Sequence, residues 1–237
     1  MPSQPVLLRG KALPQKSLLP ARPSAIIFDF DGVILDSAEI KAQAFAEIYS
    51  EFGEAWAAFI LDYQRRHGGV SRREKFKHFD KTILGQEPTE KRIAALSGRF
   101  TDIVFRKILS APFIPGARSL LDKARGHSRL FVVSGTPQEE LVDIIERRAL
   151  TPYFETIIGA PTKKPAAFAR ILNLGFAEKD VVAVGDSTTE CSAAMTLGIP
   201  FLGIRNGPSP TDFPPGIETL PDLLEAGWML GFDALSP

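Results

Sequence analysis

Two carboxylates, Asp29 and Asp31, stand two residues apart just past an apolar run, in Phe28-Asp29-Phe30-Asp31-Gly32-Val33. The run before them, Ala25-Ile26-Ile27-Phe28, is short, β-branched and aromatic, which predicts a central strand covered on both faces. Gly32 supplies the turn that ends it. Acids at a buried strand end are costly unless a cation or a hydrogen-bond network offsets them. A strand-ending Asx turn accounts for one Asp-Gly pair, but not for two acids in alternate positions. Later apolar runs are followed by Ser134-Gly135-Thr136, by Lys163-Lys164, and by Gly185-Asp186-Ser187 with Glu190.

If those segments share one crevice, electrostatics limits what they do. Two unit charges about 4 Å apart repel by about 4 kcal/mol at an effective dielectric near 20. Asp29, Asp31 and Asp186 facing an anionic substrate therefore require a cation. An all-oxygen set on a small open site favours Mg²⁺, which commonly bridges carboxylates to phosphate. Lys164 adds positive charge on the substrate side, and Ser134 with the backbone N–H groups around Gly135 suits phosphate oxygens. The chemistry implied is phosphoryl transfer. Asp29 is expected to attack phosphorus and give an aspartyl-phosphate. Asp31 is expected to protonate the leaving oxygen and later take a proton from water, while Asp186 holds the metal.

The elements that must position these groups follow from periodicity. From Pro115 onward, helical stretches at 116–125, 138–148, from Lys163 to about 173, and 189–197 alternate with apolar runs at 129–133, 156–159, 181–184 and 201–204. Strands alternating with helices predict a parallel sheet with right-handed crossovers, in which all strands end at one edge and ligands bind there. Between 37 and 111 only helical patterns occur: 37–53, about 55–66 and about 89–109, with Gly68-Gly69 breaking the chain between the second and third. An all-helical block is thus inserted into an α/β core.

Bulk properties set the limits. At 237 residues the chain is long enough for a substantial core. Lys+Arg and Asp+Glu are both 28, which gives no argument for nucleic acid or an anionic membrane. A single cysteine, Cys191, excludes an intrachain disulfide framework and fits a reducing, cytoplasmic setting. No apolar run reaches the length of a membrane span. Residues 1–24 carry four basic residues, five prolines and no acid, and are expected to be a flexible tail without a catalytic part.

Taken together, the motifs resemble the haloacid dehalogenase-like (HAD) superfamily, in its branch with a helical cap after the first motif. Asp29-Phe30-Asp31-Gly32-Val33 is similar to motif one, Ser134-Gly135-Thr136 to motif two, Lys164-Pro165 to motif three, and Gly185-Asp186-Ser187-Thr188-Thr189-Glu190 to motif four. The resemblance covers about 25 to 205. It implies a Rossmann-like core (25–36 and 113–237), a helical cap over 37–112, and Mg²⁺ held by the Asp29 carboxylate, the Asp31 carbonyl and Asp186. Motif four usually ends in Asp; Glu190 takes that place with one more methylene, so it is expected at the metal directly or through water. Ser134 and Lys164 join the catalytic set, and Gly32, Gly135, Thr136 and Lys41 line the substrate.

The resemblance also separates the reactions. The family's dehalogenases and phosphonatases lack the second Asp, so Asp31 argues for a phosphatase acting on a small phosphorylated sugar or organic acid. The rival is a sugar-phosphate mutase like β-phosphoglucomutase, since Gly69-Val70-Ser71-Arg72 is similar to the phosphate-contacting cap loop of those enzymes. Arg72 is accordingly expected to grip a distal anionic group of the substrate. The mutases carry a histidine where Lys41 stands, and Lys-Asn soon after the motif-two serine, where this chain has Pro137-Gln138. Hydrolysis is therefore preferred, and a non-catalytic ligand-binding regulator is the third reading. The remaining basic cap residues, Lys75 among them, are expected on a solvated face.

Overall fold

Ile26 and Phe28 face one way and Ala25 and Ile27 the other, and each pair meets its own apolar layer. That two-sided burial is what a strand with no polar face requires. β1 (Ala25–Phe28) lies at the centre of a six-stranded parallel sheet in the computed structural model, which describes residues 19–206 and 213–232. The other strands are β2 (Arg129–Pro137), β3 (Thr156–Ala160), β4 (Val181–Gly185), β5 (Phe201–Ile204) and β6 (Glu218–Leu220), in the order β3-β2-β1-β4-β5-β6. The architecture is α/β and Rossmann-like, as expected. Between β1 and β4 the strand order reverses, and Phe28 pairs in register with Val132 on one side and Val184 on the other.

The helices divide by position. α1 (Ala38–Ile48), α2 (Glu54–Arg66), α3 (Arg72–Leu84) and α4 (Glu90–Leu109) follow β1 without an intervening strand. α5 (Ala117–Ala124), α6 (Gln138–Arg147), α7 (Lys164–Leu172), α8 (Thr188–Thr196) and α9 (Ala226–Met229) belong to the sheet. An aromatic cluster packs the inserted helices, with Phe45 centred 4.4 Å from Phe100 and 5.2 Å from Phe76, and Tyr49 5.7 Å from Phe79. The chain leaves and re-enters the core at one place: Asp36 N–H donates to the Pro112 carbonyl (2.9 Å) and Ile114 N–H to the Ile34 carbonyl (3.0 Å).

Three local differences from expectation have physical causes. The first helix stops at Ile48 and gives way to a short 3₁₀ turn over Ser50–Phe52, which Gly53 at φ +100° closes. α3 forms although its sequence is mostly charged, since Ser71 caps its start and Gly85 closes its end in the left-handed conformation. β6, three residues long, gives too short a pattern to stand out. The predicted tail lies outside the described residues up to 18. Beyond it Leu19 is buried, and Arg22 and Ser24 donate backbone hydrogen bonds to Leu230 and Asp180. Among the described residues no helix is long and apolar enough to cross a membrane.

Candidate active site

At the switch point between β1 and β4 the sequence puts an acid just past each strand. Asp29 N–H donates to the Val184 carbonyl (2.9 Å), so β1 carries its pairing one residue beyond the strand and fixes the Asp29 side chain at the sheet edge. Its Oδ1 accepts from Phe30 N–H (2.7 Å) and its Oδ2 from the Lys164 ammonium (2.8 Å), delivered by the first turn of α7. Asp186 arrives on the loop after β4, and a Cβ at Gly32 would run into its carboxylate. That contact and a φ of +78° are why glycine holds this position.

Asp29, Asp186 and Glu190 bring carboxylate oxygens within 4.8 Å of one another. Burial first, then the Asp29 charge, pushes Asp186 up to about 7, with Lys164 acting in the opposite sense. A divalent cation among these oxygens offsets both effects, so this hard, all-oxygen set fits Mg²⁺. Glu190 has other partners. Its Oε2 accepts from Ser187 N–H (3.1 Å) and from the Ser187 hydroxyl, closing a capping box on α8. Its Oε1 accepts from Thr189 Oγ1 (3.0 Å) and pairs with Lys164. The extra methylene relative to Asp lets Glu190 reach back to its own helix start.

Asp31 sits in a second network. Its Oδ2 accepts from Lys41 Nζ (2.5 Å) and Thr136 Oγ1 (3.0 Å), with Ser134 Oγ at 3.4 Å, and its Oδ1 accepts from Ser37 Oγ (2.6 Å). Lys41 also donates to Thr136 Oγ1 (2.6 Å), and Ser134 Oγ accepts from Thr136 N–H (3.1 Å). Burial pushes the Asp31 carboxyl up, but the Lys41 charge and the Lys41, Ser37 and Thr136 hydrogen bonds together carry it below the usual carboxylate range. Asp31 is thus held as an ionised acceptor in this arrangement.

Sequence reasoning expects Arg72 to face a substrate anion, and here the structure differs. Arg72 Nη2 pairs with Glu140 Oε1 of α6 (2.7 Å), its Nη1 donates to Thr101 Oγ1 (2.8 Å), and its guanidinium lies 4.3 Å from the Phe100 ring centre. Thr101 Oγ1 in turn donates to Glu140 Oε2 (2.9 Å). Arg72 thus spends its planar fork clasping the inserted helices to the core. Lys163 is exposed, 3.7 Å from Glu74, and Lys164 alone of the pair enters the crevice.

Two residues that sequence reasoning missed line the same cavity as Asp29, Asp31 and Asp186: Lys75 and Gln64. Lys75 is 2% exposed, contrary to the expected solvated face. Burial first, then Lys41, pushes it down to about 7, with Asp186 and Asp31 partly countering. A helical face was the available signal, because Arg72, Lys75, Phe76, Phe79 and Asp80 are the buried residues of α3 and repeat at three- and four-residue spacing. The cavity is about 50 Å³ and adjoins a groove of about 940 Å³ that shares Gly69, Val70, Arg72, Ser134 and Gly135 with it. Its wall includes the Gly68-Gly69 turn, where a Cβ at Gly69 would collide with Ser187, Thr189 and Glu190, and Gly135 packs against the Gly69 carbonyl. The expected site residues are therefore in one place, with Arg72 engaged by the protein itself.

A doubly wound α/β sheet with an acid-lined crevice at its switch point and a helical insertion after its first strand defines an enzyme class. The chain belongs to the haloacid dehalogenase-like hydrolase family, which it matches over residues 26–204. It is 26% identical over 185 residues to a phosphorylated carbohydrates phosphatase of Thermotoga maritima, covering 74% of this chain and 82% of that protein. It is 26% identical over 192 residues to a phosphoglycolate phosphatase of Caulobacter vibrioides, covering 78% and 80%. Among solved structures, CbbY from Rhodobacter sphaeroides in complex with phosphate superposes with a TM-score of 0.69 at 20% identity, covering 86% of this chain and 96% of that one.

Proposed function

We propose that the protein is a Mg²⁺-dependent phosphatase that hydrolyses a small phosphorylated metabolite through an aspartyl-phosphate on Asp29. The observation that carries this reading is the meeting of Asp29 with Lys164 and with the Asp186 and Glu190 carboxylates, with Asp31 two residues further on in its own hydrogen-bond network. The relatives named above, acting on phosphorylated carbohydrates and on phosphoglycolate, support the same class of ester.

Asp29, Asp186 and the Asp31 carbonyl would hold the ion, with Glu190 beside them anchoring Lys164 and the start of α8. Bound there, Mg²⁺ supplies neutralisation of the phosphate oxygens, which dominates catalysis of phosphoryl transfer. Lys164, Ser134 Oγ and the N–H groups after Ser134 orient the phosphoryl group. An Asp29 carboxylate oxygen attacks phosphorus, its O–P bond forms, and the ester P–O bond breaks. The departing alkoxide takes a proton from Asp31. Water then attacks the phosphoryl group, gives its proton to Asp31, and releases inorganic phosphate and the Asp29 carboxylate.

Asp31 must hold a proton for the first step, whereas Lys41, Ser37 and Thr136 keep it ionised here. Its carboxyl has to turn from Lys41 towards the ester oxygen, and an incoming phosphate dianion raises its pKa as it does so. The sugar-phosphate mutase reading is weakened because Arg72, the group expected to grip a second phosphate, is bound to Glu140. The test is phosphate release from a panel of phosphomonoesters by wild type, chelated enzyme and Asp29→Asn. Release that stops in the last two, with the variant still folded, is expected; release unaffected by either treatment contradicts the proposal.

A further inference from the structure

The cavity over Asp29, Asp31 and Asp186 is lined by three cations from the inserted helices, and two of them already have carboxylate partners. Lys41 pairs with Asp31, and Arg72 with Glu140. Lys75 has none among the described residues: one of its three N–H donors goes to the Gly68 carbonyl (2.9 Å), and its ammonium lies 5.6 Å from the Phe45 ring centre. A second polar group in the same wall is also unmatched. Gln64 is 6% exposed, and its Oε1 accepts no hydrogen bond.

Buried polar groups are nearly always satisfied, so an orphaned acceptor and an unpaired ammonium in one cavity call for a ligand that supplies both counterparts. Resting on the phosphatase reading above, we infer that Lys75 and Gln64 form the subsite for the leaving group. The substrate is then the phosphate ester of a short hydroxy acid, whose carboxylate pairs with Lys75 and whose free hydroxyl donates to Gln64 Oε1. A neutral sugar leaves Lys75 unpaired. A second phosphate matches the sign of Lys75 but brings two charges to one ammonium. This reading separates organic-acid phosphates from sugar phosphates and moves the anion-recognising role from Arg72 to Lys75.

The experiment is calorimetric binding to the full-length Asp29→Asn variant with Mg²⁺, so that no ester is consumed. The probes are 2-phosphoglycolate and 3-phosphoglycerate, their neutral counterparts 2-hydroxyethyl phosphate and glycerol 3-phosphate, and a pentulose bisphosphate. The acids are expected to bind about tenfold or more tighter than their neutral counterparts. Adding Lys75→Met should abolish that preference by weakening the acids about tenfold more than the neutral esters, and Lys75→Arg should keep most of it. Gln64→Leu should weaken 3-phosphoglycerate by about fivefold and 2-phosphoglycolate, which has no free hydroxyl, hardly at all. Equal binding of acids and neutral esters, a preference that survives Lys75→Met, or tightest binding of the bisphosphate would overturn the assignment. Failure of wild type to release phosphate from any ester would count against the phosphatase reading alone, because this comparison reads binding.

Discussion

Lys75→Met keeps an aliphatic stem beside Phe45 and deletes the buried ammonium, which makes it a test of what that charge costs the fold. Lys75 sheds its proton near 7 in the folded protein against 10.5 in an unfolded chain. Between those values the unfolded state holds more protons, so stability rises with pH; the penalty is complete below about 7 and gone above about 10.5. At about 1.4 kcal/mol per pH unit, the charge costs about 5 kcal/mol at pH 6, about 4 at pH 7 and about 2 at pH 9. Lys75→Met should therefore stabilise the metal-free protein, and its advantage over wild type should shrink by about 3 kcal/mol between pH 6 and pH 9. Urea denaturation of both proteins in chelator at the two pH values measures this, since titrations of groups that do not interact with Lys75 cancel in the difference. The groups facing Lys75 are Lys41, Lys164, Asp31 and Asp186, and none of them is changed by the substitution. A variant less stable than wild type, or an advantage independent of pH, would refute the picture of an uncompensated ammonium.

Three further outcomes are expected. Glu140→Ala leaves the buried Arg72 guanidinium without its carboxylate and should cost about 3–5 kcal/mol, less in an Arg72→Ala background; a double-mutant cycle without coupling would show that the pair is not a clasp. Because Asp186 retains a proton up to about 7, Mg²⁺ affinity should fall as the pH drops below that value and level off above it, whereas Asp186→Asn should lose most affinity at every pH, both read by calorimetry. Lys41→Met removes the cation that holds Asp31 ionised, so the Asp31 carboxyl moves up and the pH at which turnover declines on the alkaline side should rise with it; an unmoved alkaline limb would take Asp31 out of the proton-donor role.

Much of the site was legible because its chemistry sits where strands end, and strands such as Ala25–Phe28 announce themselves by their apolar character. A parallel sheet then does the geometric work, bringing Asp29, Ser134 and Asp186 to one edge from positions up to 157 residues apart. Partners set by helix packing were harder to read. Nothing local ties Arg72 to Glu140, which is 68 positions away, so a guanidinium beside a glycine turn read as a ligand grip. Lys75 and Gln64 look like surface residues because both are polar, and their burial depends on how α2 and α3 pack. The face shared by Phe76 and Phe79 also carries Lys75, and there the polar identity is the functional part. Glu190 shows the opposite limit: its position in the motif was visible, but the return of its carboxylate to Ser187 and Lys164 depends on the turn that α8 makes.

The central claim is that Asp29 carries the phosphoryl group between ester and water. Acid quenching during turnover, followed by mass spectrometry of the peptide containing Asp29, tests it most directly. A phosphoryl group on Asp29 that appears with substrate, decays as inorganic phosphate accumulates and is missing in Asp29→Asn is the predicted result. Continued turnover with Asp29 never modified, together with an active Asp29→Asn enzyme, would contradict it.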